Sequence, residues 1–276
     1  MTKSIDYKNL SEDVYRVDAK KTTNPIRTDD LVAGSSFQVL RVSDNQSNGM
    51  QAMAVAPVVN GVVDYDNITI AYAGTNFSDP NDRRTDLENV IQGREGLTAD
   101  FRSIENIDSQ VDTALEFAAD IQKEYPQATL STTGHSLGGY LALLVSVKNK
   151  WASTAFNGPS PDNMLTKEEI AWAKEHTDIL VNYRNTKDWL GNYGGDPLGI
   201  ARYVAPYKDA GLFDILYYHG LSTWKFDKHG NLIDKYGLVV DRQNYRAGVD
   251  IDGDGVEDIH LDPDKVDPRN LFLASG

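Results

Sequence analysis

ATLSTTGHSLGGYLALLVSVK, residues 128–148, decides the fold. Its first six residues read as a short β-strand and its last nine as an apolar helix, with a tight glycine-rich turn between them. The turn Gly134-His135-Ser136-Leu137-Gly138 fits G-x-S-x-G, and a strand before it with a helix after it is the setting in which that pentapeptide presents a nucleophile. The glycines let the chain reverse sharply, so that Ser136 Oγ stands clear of the backbone at the head of a helix. There the free N–H groups can face a developing oxyanion. A glycine-rich turn with a merely capping serine is the bland alternative, and the strand–helix context weighs against it.

Working outward, MQAMAVAPVV (50–59) is strand-like, Asn60-Gly61 is a hairpin signal, and ITIAYAG (68–74) is a second strand. The near-continuous apolar character of that second strand implies burial on both faces. Ile104, Ile107, Val111, Leu115, Ala118 and Ile121 recur at helical spacing until Pro126. ASTAFNG (152–158) reads as a strand, Thr166 with Glu169 as a capping box opening TKEEIAWAKEH, and DILVNYRN (178–185) as another strand. Strands alternating with helices at this spacing predict a parallel sheet covered by helices. Residues 11–20 read as a short helix capped by Ser11, residues 186–220 as loop-rich, and STWKFDKHGNLIDKYG as a hairpin turning at 228–231. Without repeats or a low-complexity linker, residues 1–276 are expected to form one domain.

Composition narrows the function. The chain has 276 residues, 40% of them hydrophobic, and a formal charge of −14. A phosphate-backbone partner has no electrostatic footprint in such a chain, so nucleic acid is not expected. The absence of cysteine removes disulfides, thiolate metal sites and cysteine nucleophiles. No apolar window approaches the length of a transmembrane helix, and the start MTKSIDYKNLSEDVYRVDAKK carries no visible signal peptide.

Thr133-Gly134-His135-Ser136-Leu137-Gly138-Gly139 with its apolar helix resembles the class 3 lipases, a branch of the α/β-hydrolases, in a bacterial form. ITIAYAGTN is similar to that family's strand ending in an apolar-x-G-[ST] turn, and Thr85-Asp86-Leu87 lies where the family carries a W-x-x-D-L or T-D-L segment. The resemblance runs from about residue 50 to 226. It implies an α/β fold of the α/β-hydrolase type, with a mostly parallel central sheet covered by helices and a C-terminal hairpin. It also implies that Thr75 supplies an oxyanion N–H, with its hydroxyl as a further donor, and that Leu137 supplies the other. Residues 76–100 would then be a lid. They are charged, with Phe77, Val90, Ile91 and Leu97 as the main apolar exceptions, which leaves lipase, phospholipase A and soluble esterase open. The apolar stretches within 189–218 could line an acyl groove.

A serine nucleophile needs a histidine base held by a carboxylate, in the chain order Ser, acid, His for this fold. His219, in YYHGLSTWKF, matches the family's catalytic histidine best. His176 precedes the best acid candidate, His229 lies in a turn, and His260 stays a minor alternative. Asp188 follows a strand end in DILVNYRNTKDWLG, as the family's acid does in its [ND]-D-x-[VL] turn. Asp178 lies at the wrong end of its strand, and Asp196 is the runner-up.

A separate signal sits at 250–258. Asp250, Asp252, Asp254 and Asp258, with the Val256 carbonyl and Gly255 for the turn, resemble the D-x-D-x-D-G-x-x-D calcium loops of extracellular bacterial modules. Position 12 is Leu261 rather than Glu, so an EF-hand proper is not expected. Ca²⁺ here would be structural, within an acidic C-terminal extension (241–276), and catalysis would need no cofactor. The expected partner is a lipid or ester substrate, at a membrane or lipid interface, and the expected location is extracellular, with cytoplasmic as the alternative. Kept alongside are a short-chain esterase, a thioesterase or peptidase, a secreted toxin domain, and a non-catalytic calcium-dependent interaction module.

Overall fold

The computed structural model describes residues 2–74, 107–208, 210–211 and 215–240. Its first elements are helix α1 (Ser4–Asp13), a 3-10 turn (Val14–Val17) and strands β1 (Leu31–Val32), β2 (Phe37–Asp44), β3 (Gln51–Val59), β4 (Val62–Val63) and β5 (Asn67–Tyr72). Helices then alternate with strands: α2 (Ile107–Glu124), β6 (Thr129–His135), α3 (Leu137–Asn149), β7 (Ala152–Phe156), α4 (Lys167–Glu175) and β8 (Leu180–Asn185). The described chain closes with β9 (Ala201–Val204), α5 (Ile215–His219), β10 (Lys225–Phe226) and β11 (Leu232–Ile233).

Strands β1-β2-β3-β5-β6-β7-β8-β9 lie in that order in one sheet, with β4 pairing on β3. From β5 to β9 every pairing is parallel, whereas β1, β2, β3 and β5 pair antiparallel. The hairpin at Asn60-Gly61 has both residues at positive φ, 53° and 78°, the backbone that twists a two-residue turn correctly for its strands.

Both faces of the sheet are covered, and strand alternation decides which residue faces which layer. Ala52, Ala54, Ala56, Ile68, Ile70 and Tyr72 pack with Val111, Ala118 and Ile121 of α2 and Leu141, Ala142 and Val145 of α3. Their strand neighbours Met53, Val55 and Ala71 pack on the opposite side with Leu10, Val14 and Val17 from the N-terminal segment. Helix α3 is buried at every position from Leu137 to Val147, which fits a helix apolar all round. Under it the Thr132 hydroxyl meets the Ala142 carbonyl (2.7 Å) and the hydroxyls of Ser146 (2.8 Å) and Ser153 (2.9 Å), so these buried polar groups are satisfied.

Four details depart from the sequence reading. Ser11 is not a cap: α1 starts at Ser4, where Asp6 accepts from the Lys3 backbone N–H at 2.8 Å. Ser11 is instead fully buried, its Oγ 2.9 Å from Thr133 Oγ1 on the sheet. Residues 37–44 form a full strand that pattern reading passed over. The stretch 186–220 contains β9 and α5, so it is less irregular than expected, and His219 ends a short helix rather than lying in a loop. The capping box at Thr166 is present as read, with its hydroxyl accepting from Glu169 N–H at 3.2 Å.

Candidate active site

Ser136 occupies the joint between β6 and α3 with φ 58° and ψ −128°, a positive-φ backbone that residues other than glycine adopt only when the surroundings force it. The force comes from backbone packed on backbone. A Cβ on Gly134 would sit inside the main chain of Gly138, and one on Gly138 would sit inside the Tyr72 carbonyl at the end of β5. Glycine at both positions brings three chain segments together under the serine. The Ser136 N–H donates to the Phe156 carbonyl at 3.1 Å, which ties the elbow to β7.

Asp188 lies three residues past β8 and is fully buried. Its own N–H donates to the Asn185 carbonyl (3.1 Å), and its Oδ1 accepts from the Leu190 N–H (3.2 Å). The other oxygen, Oδ2, is 2.8 Å from His219 Nδ1, and His219 Nε2 is 2.8 Å from Ser136 Oγ. A carboxylate only accepts, so Nδ1 carries the imidazole proton and Nε2 is left to accept from the serine hydroxyl. The sequence-stipulated trio is thus within hydrogen-bonding reach in the order acid, imidazole, hydroxyl.

Two residues given no role by the sequence reading hold the histidine segment. His135 Nε2 donates to the His219 carbonyl at 2.6 Å, and the Tyr15 hydroxyl donates to His135 Nδ1 at 3.0 Å. A carbonyl accepts only, which fixes the His135 tautomer. Burial, and next the charge His219 would carry, pull the His135 pKa down to about 3, so this ring is a neutral strut. Asn157, fully buried at φ 49°, donates from Nδ2 to the carbonyls of Tyr218 (3.2 Å) and His219 (3.0 Å). Its Oδ1 accepts from the Asn185 N–H at 2.9 Å. One side chain therefore joins the ends of β7 and β8 to the His219 segment. The available signal for His135 was its place inside the pentapeptide; for Asn157 it was Asn-Gly at a strand end, which also reads as an ordinary turn.

The other candidates fall elsewhere. Asp196 accepts from the N–H groups of Ile200 and Ala201, so it starts β9 instead of holding an imidazole. His176 is stacked on Trp172 at the end of α4, and the His229 N–H donates to Asp227 in the hairpin turn. Leu137 is the first residue of α3. Thr75, the lid segment 76–100, His260 and the acidic loop with Asp250, Asp252, Asp254, Val256 and Asp258 lie outside the described residues. Among the described residues no cluster of metal-ligating side chains occurs, and no helix is long and apolar enough to cross a membrane.

No family model matches the chain, and no curated protein matches it. Solved structures do. A mutant form of MDLA from Penicillium cyclopium aligns over 75% of this chain and 80% of its own, with a TM-score of 0.50 at 13% identity. The Rhizomucor miehei lipase in its propeptide complex aligns over 73% and 67%, with a TM-score of 0.44 at 15% identity. The mono- and diacylglycerol lipase of Aspergillus oryzae aligns over 78% and 84%, with a TM-score of 0.43 at 11% identity. At such identities the likeness is one of architecture: a mostly parallel sheet between helices, the α/β-hydrolase fold.

Proposed function

We propose that the chain is a serine hydrolase of the bacterial class 3 lipase type, cleaving carboxylic esters of lipids. The observation that carries this reading is the pair of 2.8 Å contacts linking Asp188, His219 and Ser136, with the serine on a strained strand–helix elbow. In the acylation step Ser136 Oγ attacks the ester carbonyl carbon while its proton passes to His219 Nε2. Asp188 stabilises the imidazolium and holds the ring's tautomer. The tetrahedral intermediate then collapses: the carbon–oxygen bond to the leaving alcohol breaks, and that alcohol takes the proton from Nε2. Water repeats the sequence on the acyl-enzyme and releases the acid. Main-chain N–H groups of Leu137 and Thr75 would bind the oxyanion, each worth about 3–4 kcal/mol. The acidic loop at 250–258 would hold a structural Ca²⁺, with Asp250, Asp252, Asp254, Asp258 and the Val256 carbonyl as ligands, and no cofactor enters the chemistry.

The test is release of p-nitrophenol from butyrate and palmitate esters by wild type and Ser136→Ala, each with calcium and with chelator. Wild-type turnover is expected to fall at least about 10⁴-fold in the variant. Equal inertness of both proteins on these esters and on phospholipids would overturn the reading. The chain-length ratio separates a short-chain esterase from a lipase.

A further inference from the structure

Tyr7, Ser11 and Tyr15 stand four residues apart near the start of the chain, and Ser131, Thr133 and His135 stand two apart along β6. They meet in pairs. The Tyr7 hydroxyl lies 3.5 Å from Ser131 Oγ, Ser11 Oγ 2.9 Å from Thr133 Oγ1, and the Tyr15 hydroxyl 3.0 Å from His135 Nδ1. Four helical residues climb about 6 Å and two strand residues about 6.6 Å, so the two spacings keep step over three rungs. Sliding α1 by one residue would turn each hydroxyl off the strand by about 100°. The register of α1 therefore delivers Tyr15 to His135, the residue next to the nucleophile.

The Tyr15 hydroxyl is closely surrounded there. It lies 3.5 Å from the His135 carbonyl, and a Cβ on Gly74, just past β5, would stand 2.8 Å from it. On the far side of the imidazole, Nε2 donates to the His219 carbonyl at 2.6 Å, and the two histidine rings are centred 4.8 Å apart. Asn157 Nδ2 reaches the same carbonyl at 3.0 Å, so that oxygen is gripped from two directions. Asn157 is itself tied to β8 through the Asn185 N–H. The His135 ring turns on a torsion whose wells are broad and roughly two-fold, and a hydrogen bond at Nδ1 stops that turning. Burial keeps this ring neutral, so only one nitrogen carries a proton. A donor at Nδ1 leaves that proton on Nε2, facing the carbonyl.

We propose that Tyr15 is a positioning residue for the triad base, acting through His135 to fix the His219 backbone and hence the reach of Nε2 to Ser136. This deepens the ester-hydrolase reading, and its kinetic consequence rests on that reading.

The experiment uses the full chain with Ser136→Ala, Tyr15→Phe, His135→Asn, the last two combined, and Ser11→Ala. Phe keeps the ring of Tyr15 and removes only the hydroxyl, while Asn is too short to reach both Tyr15 and the His219 carbonyl. On p-nitrophenyl butyrate, Tyr15→Phe should lower kcat about 10–100-fold, with KM within about twofold. In the His135→Asn background the same change should cost less than about twofold, because the link is already cut. Ser11→Ala removes the neighbouring rung and keeps the one at His135, so it should unfold more readily with kcat within about twofold of wild type. Proton NMR reads the geometry without turnover. The far-downfield Nδ1 proton of His219, held by Asp188, should be present in wild type and Ser11→Ala and be lost or moved upfield in Tyr15→Phe. Additive losses in the double variant, an equal loss of kcat in Ser11→Ala, or an unmoved His219 resonance would overturn the proposal. Wild type no faster than Ser136→Ala, with the resonance still moved by Tyr15→Phe, would sink the hydrolase reading and leave the positioning role standing.

Discussion

At Ser136 a positive φ and a nearby imidazole are two sides of one arrangement. The backbone is held at 58° because Gly134, Gly138 and the end of β5 leave no other path, and that path aims Oγ at His219 Nε2. Gly138→Ala should therefore do more than remove flexibility. Its methyl would enter the Tyr72 carbonyl, and a loss of at least about 2 kcal/mol is expected in urea unfolding. Asp188→Asn keeps the shape but offers an N–H where the imidazole also needs to donate. About 10⁴-fold lower kcat is expected, by analogy with other triads. His135 adds a pH signature. Its pKa is depressed to about 3 by burial and by His219, against an ordinary value near 6.5. Between those pH values the unfolded chain binds a proton that the folded one refuses, so this contribution is full above about pH 6.5 and is lost as pH falls toward 3. His135→Asn should flatten the stability profile in that window, by up to about 1.4 kcal/mol per pH unit; identical slopes for the two proteins would refute the account.

At the scale of elements, what was legible followed from patterns that leave no alternative. β6, α3 and β7 could be read because a strand–glycine turn–helix with an apolar helix has one sensible placement. Thr166 could be read because a capping box is local chemistry, and Thr166→Ala should cost about 1 kcal/mol with ester turnover unchanged. Ser11 was misread for the complementary reason. A serine ahead of apolar residues looks like a cap, while its real partner, Thr133, is 122 residues away and invisible to any window. β2 is hidden although its partners are local, Asp44 lying opposite Gln51, because burial fades after Val39 and leaves no alternation along the strand; β9 is only four residues long, its start held by Asp196 through two backbone N–H groups. The order of Ser136, Asp188 and His219 was legible from chain sequence and motif. The role of Asn157 was not, because it depends on two strand ends meeting a third segment. Asn157→Ala should raise the cost of placing His219: an unfolding midpoint lowered by about 1–3 kcal/mol equivalent, and kcat reduced more than KM changes.

For the whole molecule, the antiparallel strands at one side and the parallel strands at the other divide the labour. The parallel half carries the elbow and the acid at the carboxyl ends of β6 and β8, the side where open α/β sheets build sites. On one face of the sheet α1 meets β6 through Ser11 and Thr133, and the 3-10 turn after it braces the site through Tyr15 and His135. The acidic tail belongs to this scale too. If residues 250–258 bind Ca²⁺, chelation should lower the melting temperature of wild type but not of Asp252→Asn, and calcium titration by calorimetry should show a site that the variant lacks.

The link between Ser11 and Thr133 also bears on the order of assembly. During synthesis α1 emerges before the sheet, and although its Leu10 packs against β3 and β5, the Thr133 hydroxyl that its buried Ser11 meets is made 122 residues later. β2, β3 and β5 can pair with one another almost as they emerge, since their contacts are local, while the first helix completes its seat only when β6 arrives. In pulse-labelled hydrogen exchange the amides of α1 should gain protection after those of the β2–β3 hairpin; the reverse order would show that α1 docks on something other than its native strands.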